Sequence, residues 1–164
     1  MLLNSVLTVL LVSILASAVK IKNTYNGLCL DFPDGYVPGS AIVLADCCDL
    51  KHGNWSVVHN TTHISVISNG NPNTAQKLCL DFYTPRTGNN PSLWECNDST
   101  AQFFIRNPNT RPNSVSFMTT YTVQNMLYYQ LSVLADDKQG ALASFSPVLS
   151  SEVGPVRYEW ITVG

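Results

Sequence analysis

The residues that could carry out catalysis are few in this sequence and are poorly spaced for it. The three histidines, His52, His59 and His63, lie within one short stretch, and no Gly-x-Ser-x-Gly motif is present. Asp31 and Asp81 lie about 50 positions apart in the same local sequence, which puts them in equivalent places of two repeats and too far apart for a glycosidase pair. The sequence therefore predicts a protein that is not an enzyme.

The five cysteines predict disulfide bonds, because the start of the chain, described below, directs it to an oxidising compartment. No Cys-x-x-Cys pair or Cys/His cluster has the spacing of a zinc site. Cys29 to Cys47 and Cys79 to Cys96 enclose loops of similar length. Each closed loop would contribute about 3 kcal/mol of stability in the chain-entropy model. Cys48 is left over and is a candidate for an intermolecular disulfide. We expect neither a metal site nor a cofactor.

The start of the chain is typical of a secretory signal peptide. Ser5 to Leu15 is apolar and uncharged, and it is followed by Ala16-Ser17-Ala18, a small-x-small cleavage pattern. The apolar run is short for a membrane anchor, so we expect no membrane insertion. The prediction is a signal peptide over residues 1–18 and a secreted or cell-surface protein whose single domain covers residues 19–164.

Charge is sparse in this chain. Asp, Glu, Lys and Arg make up 12% of the residues, and the net charge is −2. A nucleic-acid partner is not expected, because there is no basic face to neutralise phosphates. Low charge together with many Asn, Thr, Ser, Gly and Pro residues is typical of a loop-rich protein that meets neutral polar ligands.

Short alternating runs predict an all-β fold. Thr61 to Ser68, Ser114 to Met118 and Leu127 to Ala135 are predicted strands, and clusters of Gly, Pro and Asn separate such runs. No stretch of a dozen residues after the signal peptide keeps helical spacing of its apolar positions without Pro, Gly or Asn.

The chain also repeats itself. Gly27 to Phe32 recurs as Lys77 to Phe82, with Leu-Cys-Leu-Asp-Phe common to both, and Leu44-x-x-Cys47 recurs as Leu93-x-x-Cys96. The repeat length is about 50 residues, which indicates one supersecondary unit copied around a shared core. The aromatic residue that follows, Trp55, matches Phe104 of the second copy. Trp55 lies as far after Cys47 as Phe104 lies after Cys96, so Cys47 rather than Cys48 is the predicted disulfide partner of Cys29.

The last part of the chain has the length of a third, degenerate copy without cysteines. Leu131-Ser132-Val133-Leu134 is aligned with Leu-Cys-Leu-Asp, and Trp160 closes the unit where the other copies have Trp55 and Phe104. The repeats are predicted at about 22–58, 75–106 and 114–164. Three units of four short strands can close into a barrel with a hairpin cap.

These motifs resemble the ricin B-type lectin family. The resemblance rests on Cys-Leu-Asp, on Ala41-Ile42-x-Leu44-x-x-Cys47 or Leu93-Trp94-Glu95-Cys96, and on Gln102-x-Phe104, which is similar to the family's terminal Gln-x-Trp. It implies a β-trefoil in which each repeat has one shallow carbohydrate pocket. In such a pocket the Asp of Cys-Leu-Asp binds sugar hydroxyls, and the aromatic residue two positions before the second Cys stacks on the ring.

By this resemblance the second repeat has the best site. Asp81 supplies the carboxylate, Trp94 the platform and Gln102 the amide, with Ser92 and Asn97 at the rim. A flat aromatic plus a carboxylate suits a pyranose, which has an apolar C–H face and a rim of hydroxyls. The alternative is that Gln102 only ties the turn together and Trp94 is a core residue. Since neighbouring strand residues point to opposite faces, either Trp94 or the leucine before it should be exposed.

The other two repeats have weaker sites on the same comparison. The first repeat keeps Asp31, a weaker carbohydrate-binding candidate, but Ala45 replaces the aromatic and Gly53 replaces the glutamine. An alternative role for Asp31 is a local backbone hydrogen bond. The third repeat has Phe145 aligned with the platform but Leu134 aligned with the aspartate, and leucine cannot accept a hydrogen bond.

Three sequons, at Asn54, Asn60 and Asn97, are candidate glycosylation sites. A glycan on Asn97 would lie beside the best pocket.

The prediction is a secreted lectin that binds glycans or glycoproteins, most simply of the galactose type, without a catalytic role. The alternative is a non-catalytic secreted, surface or coat interaction protein, or a protease inhibitor, which keeps the trefoil and has lost sugar binding.

Overall fold

A computed structural model describes most of the chain after its first residues. The described ranges are 18–59, 64–69, 77–82, 90–106, 114–115, 117–119, 129–133, 137–147 and 159–164. The predicted signal peptide lies outside them except for its last residue, so it stays a prediction.

The described residues form short β-strands and one 3₁₀ turn, and every strand pairing is antiparallel. The strands are β1 Lys20–Asn23, β2 Cys29–Asp31, β3 Val43–Ala45, β4 Trp55–His59, β5 Ile64–Ser68, β6 Leu78–Asp81, β7 Ser92–Glu95, β8 Phe104–Arg106, β9 Ser114–Val115, β10 Phe117–Thr119, β11 Tyr129–Ser132, β12 Ser144–Pro147 and β13 Trp160–Val163, with the 3₁₀ turn at Thr100–Gln102. The predicted all-β class is confirmed.

The strands form two sheets, and one of them contains both the first and the last strand of the domain. One sheet has the order β3-β2-β1-β13-β9, and the other has β12-β11-β10-β8-β5-β6-β7 with β4 paired to β5. The strand that begins the domain pairs with the strand that ends it, with Lys20 opposite Val163 and Asn23 opposite Trp160. This pairing closes the first repeat against the third and leaves neither of these strands as an open edge.

The core is built from the residues that define the repeat. The closing aromatic side chains, Trp55, Phe104 and Trp160, are fully buried. The alternating leucines of each hairpin pack in the same cluster, among them Leu30 and Leu80. The described buried residues of all three repeats form one shared cluster, which is the expected arrangement for repeats too small to bury their own apolar face.

Two disulfide bonds have the predicted partners. Cys29 is bonded to Cys47 and Cys79 to Cys96, and in both pairs the Cα atoms lie 5.1 Å apart. Each bond joins the first strand of a central hairpin to the chain just after the second strand. Cys48 is exposed and has no disulfide partner.

The hydrogen bonds of the closing tryptophans define the register of the third repeat. The indole N–H of Trp55 donates to the carbonyl oxygen of Leu30 at 3.2 Å, and that of Trp160 donates to the carbonyl oxygen of Leu131, also at 3.2 Å. Leu131 is therefore the equivalent of Leu30, the residue directly before the aspartate of the motif.

This register corrects the predicted alignment by two residues. Ser132, and not Leu134, takes the aspartate position; Leu134 itself lies outside the described residues. Phe145 pairs with Leu131, as the core leucines of the other hairpins pair, so it does not take the platform position. Ser146, the next residue, does. The third repeat therefore has a serine at each of these two positions.

Candidate functional site

The candidate site lies on one face of the β6–β7 hairpin in the second repeat. Asp81 lies opposite Ser92, and Cys79 lies opposite Trp94. Opposed residues of an antiparallel pair share a face, and so do their diagonal neighbours two positions along. The pairing therefore brings Asp81, Ser92 and Trp94, three of the predicted site residues, onto one face.

The opposite face of the same hairpin packs in the core. Leu80 lies opposite Leu93, and both side chains are fully buried. Because Leu93 points inward, Trp94 must point outward, and 37% of its surface is exposed. The expectation that one of these two neighbours is exposed is confirmed, and the alternative that Trp94 is a core residue is wrong.

A turn of the first repeat lies against the edge of β7 beside Trp94. The Gly39 N–H donates to the carbonyl oxygen of Leu93 at 2.7 Å, and the Leu93 N–H donates to the carbonyl oxygen of Ser40 at 2.9 Å. A Cβ placed on Gly39 would lie 3.8 Å from Cζ3 of Trp94. The indole of Trp94 therefore lies next to a turn of the neighbouring repeat. This contact was not predicted from the sequence.

Gln102 ties the turn that closes the second repeat to the hairpin. Its Nε2 donates to Asp81 Oδ2 at 2.9 Å and to the carbonyl oxygen of Glu95 at 2.8 Å. Its Oε1 accepts the backbone N–H of Asn97 at 3.0 Å. Gln102 and Asp81 are each 2% exposed. The structural role that the sequence analysis gave as an alternative for Gln102 is therefore present, and the amide also holds one oxygen of the Asp81 carboxylate.

We predict that Gln102→Ala lowers the free energy of unfolding by about 2–3 kcal/mol, because the change leaves buried partners without their hydrogen bonds. Urea denaturation of the disulfide-bonded protein measures this change. Gln139→Ala, at an exposed glutamine, is the matched control and should stay within about 0.5 kcal/mol of the unmodified protein. Equal effects of the two variants would contradict the structural role of Gln102.

The two predicted rim residues differ in their surroundings. Asn97 is exposed, and its Oδ1 accepts the backbone N–H of Ser99 at 3.0 Å. Ser92 is fully buried, and its hydroxyl has no hydrogen-bond partner among the described residues. Ser92 is therefore on the same face as Asp81 and Trp94 but is covered, so it does not form an exposed rim.

In the first repeat the carboxylate of Asp31 is occupied by backbone donors. Its Oδ1 accepts the N–H groups of Phe32 at 2.9 Å and His52 at 3.0 Å, and its Oδ2 accepts the N–H of Lys51 at 3.0 Å. The side chain is 2% exposed. The alternative role in local backbone hydrogen bonding is therefore present, and Asp31 remains the weaker candidate for contact with a ligand.

Gly53, which takes the position of the glutamine, has no room for a side chain. A Cβ there would overlap the carbonyl oxygen of Leu30 and lie 3.3 Å from Cα of Asp31. The closing loop of the first repeat thus runs directly over β2, and backbone N–H groups replace the glutamine amide. Ala45 takes the platform position and is almost fully buried.

Tyr36 does not replace the missing platform of the first repeat. Its ring packs edge-on against Phe32, with centroids 5.1 Å apart, and its hydroxyl donates to the carbonyl oxygen of Asn69 at 3.4 Å. Burial, and then the negative charge of Asp31, raise the pKa of Tyr36 above its ordinary value. The tyrosine is therefore part of a packed aromatic cluster.

The third repeat has no carboxylate at the equivalent position. Ser132 is 2% exposed, and its hydroxyl donates to the carbonyl oxygen of Ser144 at 3.4 Å.

Two of the three sequons can be located. Asn54 and Asn97 are exposed, and Asn60 lies outside the described residues. Within the described ranges, no three His, Cys, Asp or Glu side chains are grouped so that they could hold a metal ion, and no helix is long and apolar enough to cross a membrane.

The chain is similar to known proteins in sequence and in structure. The sequence model of one protein family, the ricin-type β-trefoil lectin domain, matches residues 17–126. A search of curated protein sequences finds no match.

Three of the similar solved structures represent different kinds of protein. A designed three-fold symmetric protein, ThreeFoil, is 12% identical with a TM-score of 0.64, covering 90% of this chain and 98% of its own. The β-trefoil lectin of the Vibrio vulnificus hemolysin/cytolysin, with N-acetyl-D-lactosamine bound, is 17% identical with a TM-score of 0.60, covering 88% and 92%. A proteinase inhibitor from Coprinopsis cinerea is 11% identical with a TM-score of 0.62, covering 88% and 94%. These likenesses confirm the predicted β-trefoil.

Proposed function

The chain belongs to the ricin-type β-trefoil lectin domain family, and on this premise we propose that it binds carbohydrate through one main pocket, in the second repeat. The observation that carries the proposal is the exposed indole of Trp94 on the same hairpin face as Asp81. The equivalent positions hold Ala45 in the first repeat and Ser146 in the third.

The chemistry of this face suits a pyranose. The indole offers a flat apolar surface to the C–H face of a sugar ring. The Asp81 carboxylate lies at the base of this face, 2% exposed, and its Oδ2 accepts a hydrogen bond from Gln102; a carboxylate there would accept hydrogen bonds from sugar hydroxyls. Asn97 lies at the exposed end of the same hairpin and offers an amide at the rim.

The hydroxyl of Ser92 lies in the floor of the proposed pocket. It lies directly opposite Asp81 and has no hydrogen-bond partner in the described part of the chain. A buried polar group without a partner costs about 1–3 kcal/mol. Because Ser92 is fully buried and Asp81 is 2% exposed, this hydroxyl belongs to the floor of the proposed pocket and does not reach its surface.

Galactose-type glycans, free or on glycoproteins, are the proposed ligands. The support is the family and the Vibrio vulnificus lectin, whose bound N-acetyl-D-lactosamine ends in galactose. Secretion is part of the proposal and is supported by the signal-peptide pattern and by two disulfide bonds, which persist in oxidising compartments. The proposal includes no catalytic step.

A glycan array probed with the purified, disulfide-bonded protein tests this function. We expect binding to galactose-terminated glycans that free galactose inhibits. Because a glycan on Asn97 would lie beside Trp94, the protein is assayed as expressed and as Asn97→Gln. A folded protein that binds no glycan in either form would refute the proposal.

Protease inhibition is the second candidate, favoured by the similarity to the Coprinopsis cinerea inhibitor. Titration of a serine and a cysteine protease with the protein distinguishes the two functions. Stoichiometric inhibition without glycan binding would replace the lectin proposal.

A further inference from the structure

Next to the proposed sugar site, the first repeat presents an exposed apolar turn, Val37-Pro38-Gly39, here named the 37–39 turn. Val37 is 56% exposed, and Pro38 and Gly39 are exposed as well. None of the three has a polar side chain.

The 37–39 turn is held against β7, the strand that carries Trp94. The Gly39 N–H bond to Leu93 and the Leu93 N–H bond to Ser40 fix the turn beside β7. Gly39 is in the left-handed region at φ +90°, a conformation that strongly favours glycine. With the Gly39 Cβ position 3.8 Å from the indole of Trp94, the apolar surface continues from the ring onto the turn.

The N–H donors of this turn are already used. The Val37 N–H donates to the carbonyl oxygen of Gly35 at 2.9 Å, the Gly39 N–H donates to β7, and Pro38 has no N–H. A ligand that reaches the turn therefore finds apolar side chains and no free backbone donor. Its side chains therefore favour contact with an apolar part of a ligand.

The third repeat contains a turn of the same geometry with the opposite chemistry. The Ala141 N–H donates to the carbonyl oxygen of Lys138 at 3.0 Å, just as the Ser40 N–H donates to that of Val37 at 3.0 Å. The Gly140 N–H, in turn, donates to β3 at 2.7 Å. This turn carries Lys138 and Gln139, and the platform position beside it is an alanine. The apolar 37–39 turn therefore lies beside an aromatic platform, Trp94, whereas the polar turn of the third repeat lies beside Ala45.

We infer that the 37–39 turn is a second subsite of the same pocket. It takes the apolar part, an acetamido methyl or a C–H face, of the sugar next to the one that stacks on Trp94. The inference rests on the proposed function and makes the ligand a glycan of two or more sugars, with the specificity for the second sugar supplied by a neighbouring repeat.

Exchange of the two turns tests the inference. Calorimetric titration measures the Kd of galactose and of N-acetyllactosamine for the unmodified protein and for Val37→Lys/Pro38→Gln, which introduces the residues of the third-repeat turn. We expect N-acetyllactosamine to bind about fivefold more tightly than galactose to the unmodified protein, and the exchange to abolish this gain without changing the Kd of galactose.

The reverse exchange, Lys138→Val/Gln139→Pro, is the matched control and should leave both Kd values unchanged. Urea denaturation checks that each variant is folded. If the unmodified protein gains nothing from the second sugar, or if Val37→Lys/Pro38→Gln changes both Kd values equally or neither, the second subsite is refuted and the lectin function stands. If the unmodified protein binds neither sugar, both proposals fail.

Discussion

Trp94→Ala is expected to weaken glycan binding by about 30- to 100-fold, since loss of a tryptophan at the centre of a binding site typically costs at least 2 kcal/mol. The free energy of unfolding should fall by less than about 1 kcal/mol, because the ring is outside the core and 37% exposed. Isothermal titration with the best glycan from the array and urea denaturation measure the two effects on the same preparation.

Two further variants make this result specific to the aromatic platform. Trp94→Phe keeps a flat ring and should recover most of the affinity that Trp94→Ala loses. Leu142→Ala removes a side chain that is 48% exposed in another repeat, and it should leave glycan affinity unchanged. If Trp94→Ala binds glycans as tightly as the unmodified protein, the pocket is not on this hairpin.

The exposed platform could be predicted from the sequence because it depends on local rules. Adjacent strand residues point to opposite faces, so an inward Leu93 requires an outward Trp94. The disulfide partners could be predicted for a similar reason, since the two copies of the motif have the same spacing. The hydrogen bonds of Gln102 could not, because several partners within reach would satisfy a buried amide equally well.

The third repeat shows where pattern matching is insufficient. A strand has a side-chain period of two, so a slip of one residue reverses its faces, whereas a slip of two leaves every apolar residue on the correct face. The alignment that put Leu134 at the aspartate position is such a slip of two. In the structure, the pairing of β11 with β12 and the bond from Trp160 to Leu131 decide the register.

The 37–39 turn was missed because its contact with Trp94 joins two repeats that are distant in sequence. The turn contained one usable signal. Gly39-Ser40-Ala41-Ile42 and Gly140-Ala141-Leu142-Ala143 share a glycine followed by small and apolar residues. Both glycines have positive φ, and both donate to the platform strand of a neighbouring repeat. An alignment anchored on this glycine gives the correct register for the third repeat.

Gly53→Gln would restore the glutamine of the family motif to the first repeat, and it is expected to destabilise the protein rather than to create a site. Its Cβ would overlap the carbonyl oxygen of Leu30, a backbone atom that already accepts the indole N–H of Trp55 and cannot move freely. The loss in the free energy of unfolding should be about 3 kcal/mol or more. Urea denaturation under non-reducing conditions measures it.

Gly140→Ala is the matched control for Gly53→Gln because it separates backbone strain from overlap. A Cβ on Gly140 would meet nothing within 4 Å, but the residue has φ +88°. Its substitution should therefore cost only about 1 kcal/mol, the ordinary penalty of a left-handed conformation. Gly53 is not among the residues with positive φ, so its larger loss would come from overlap alone.

If Gly53→Gln were as stable as the unmodified protein, the loop over β2 would have room for the glutamine. In that case the first repeat would lack a platform but not the space for a pocket, and Ala45→Trp in that background would be expected to add a second binding site.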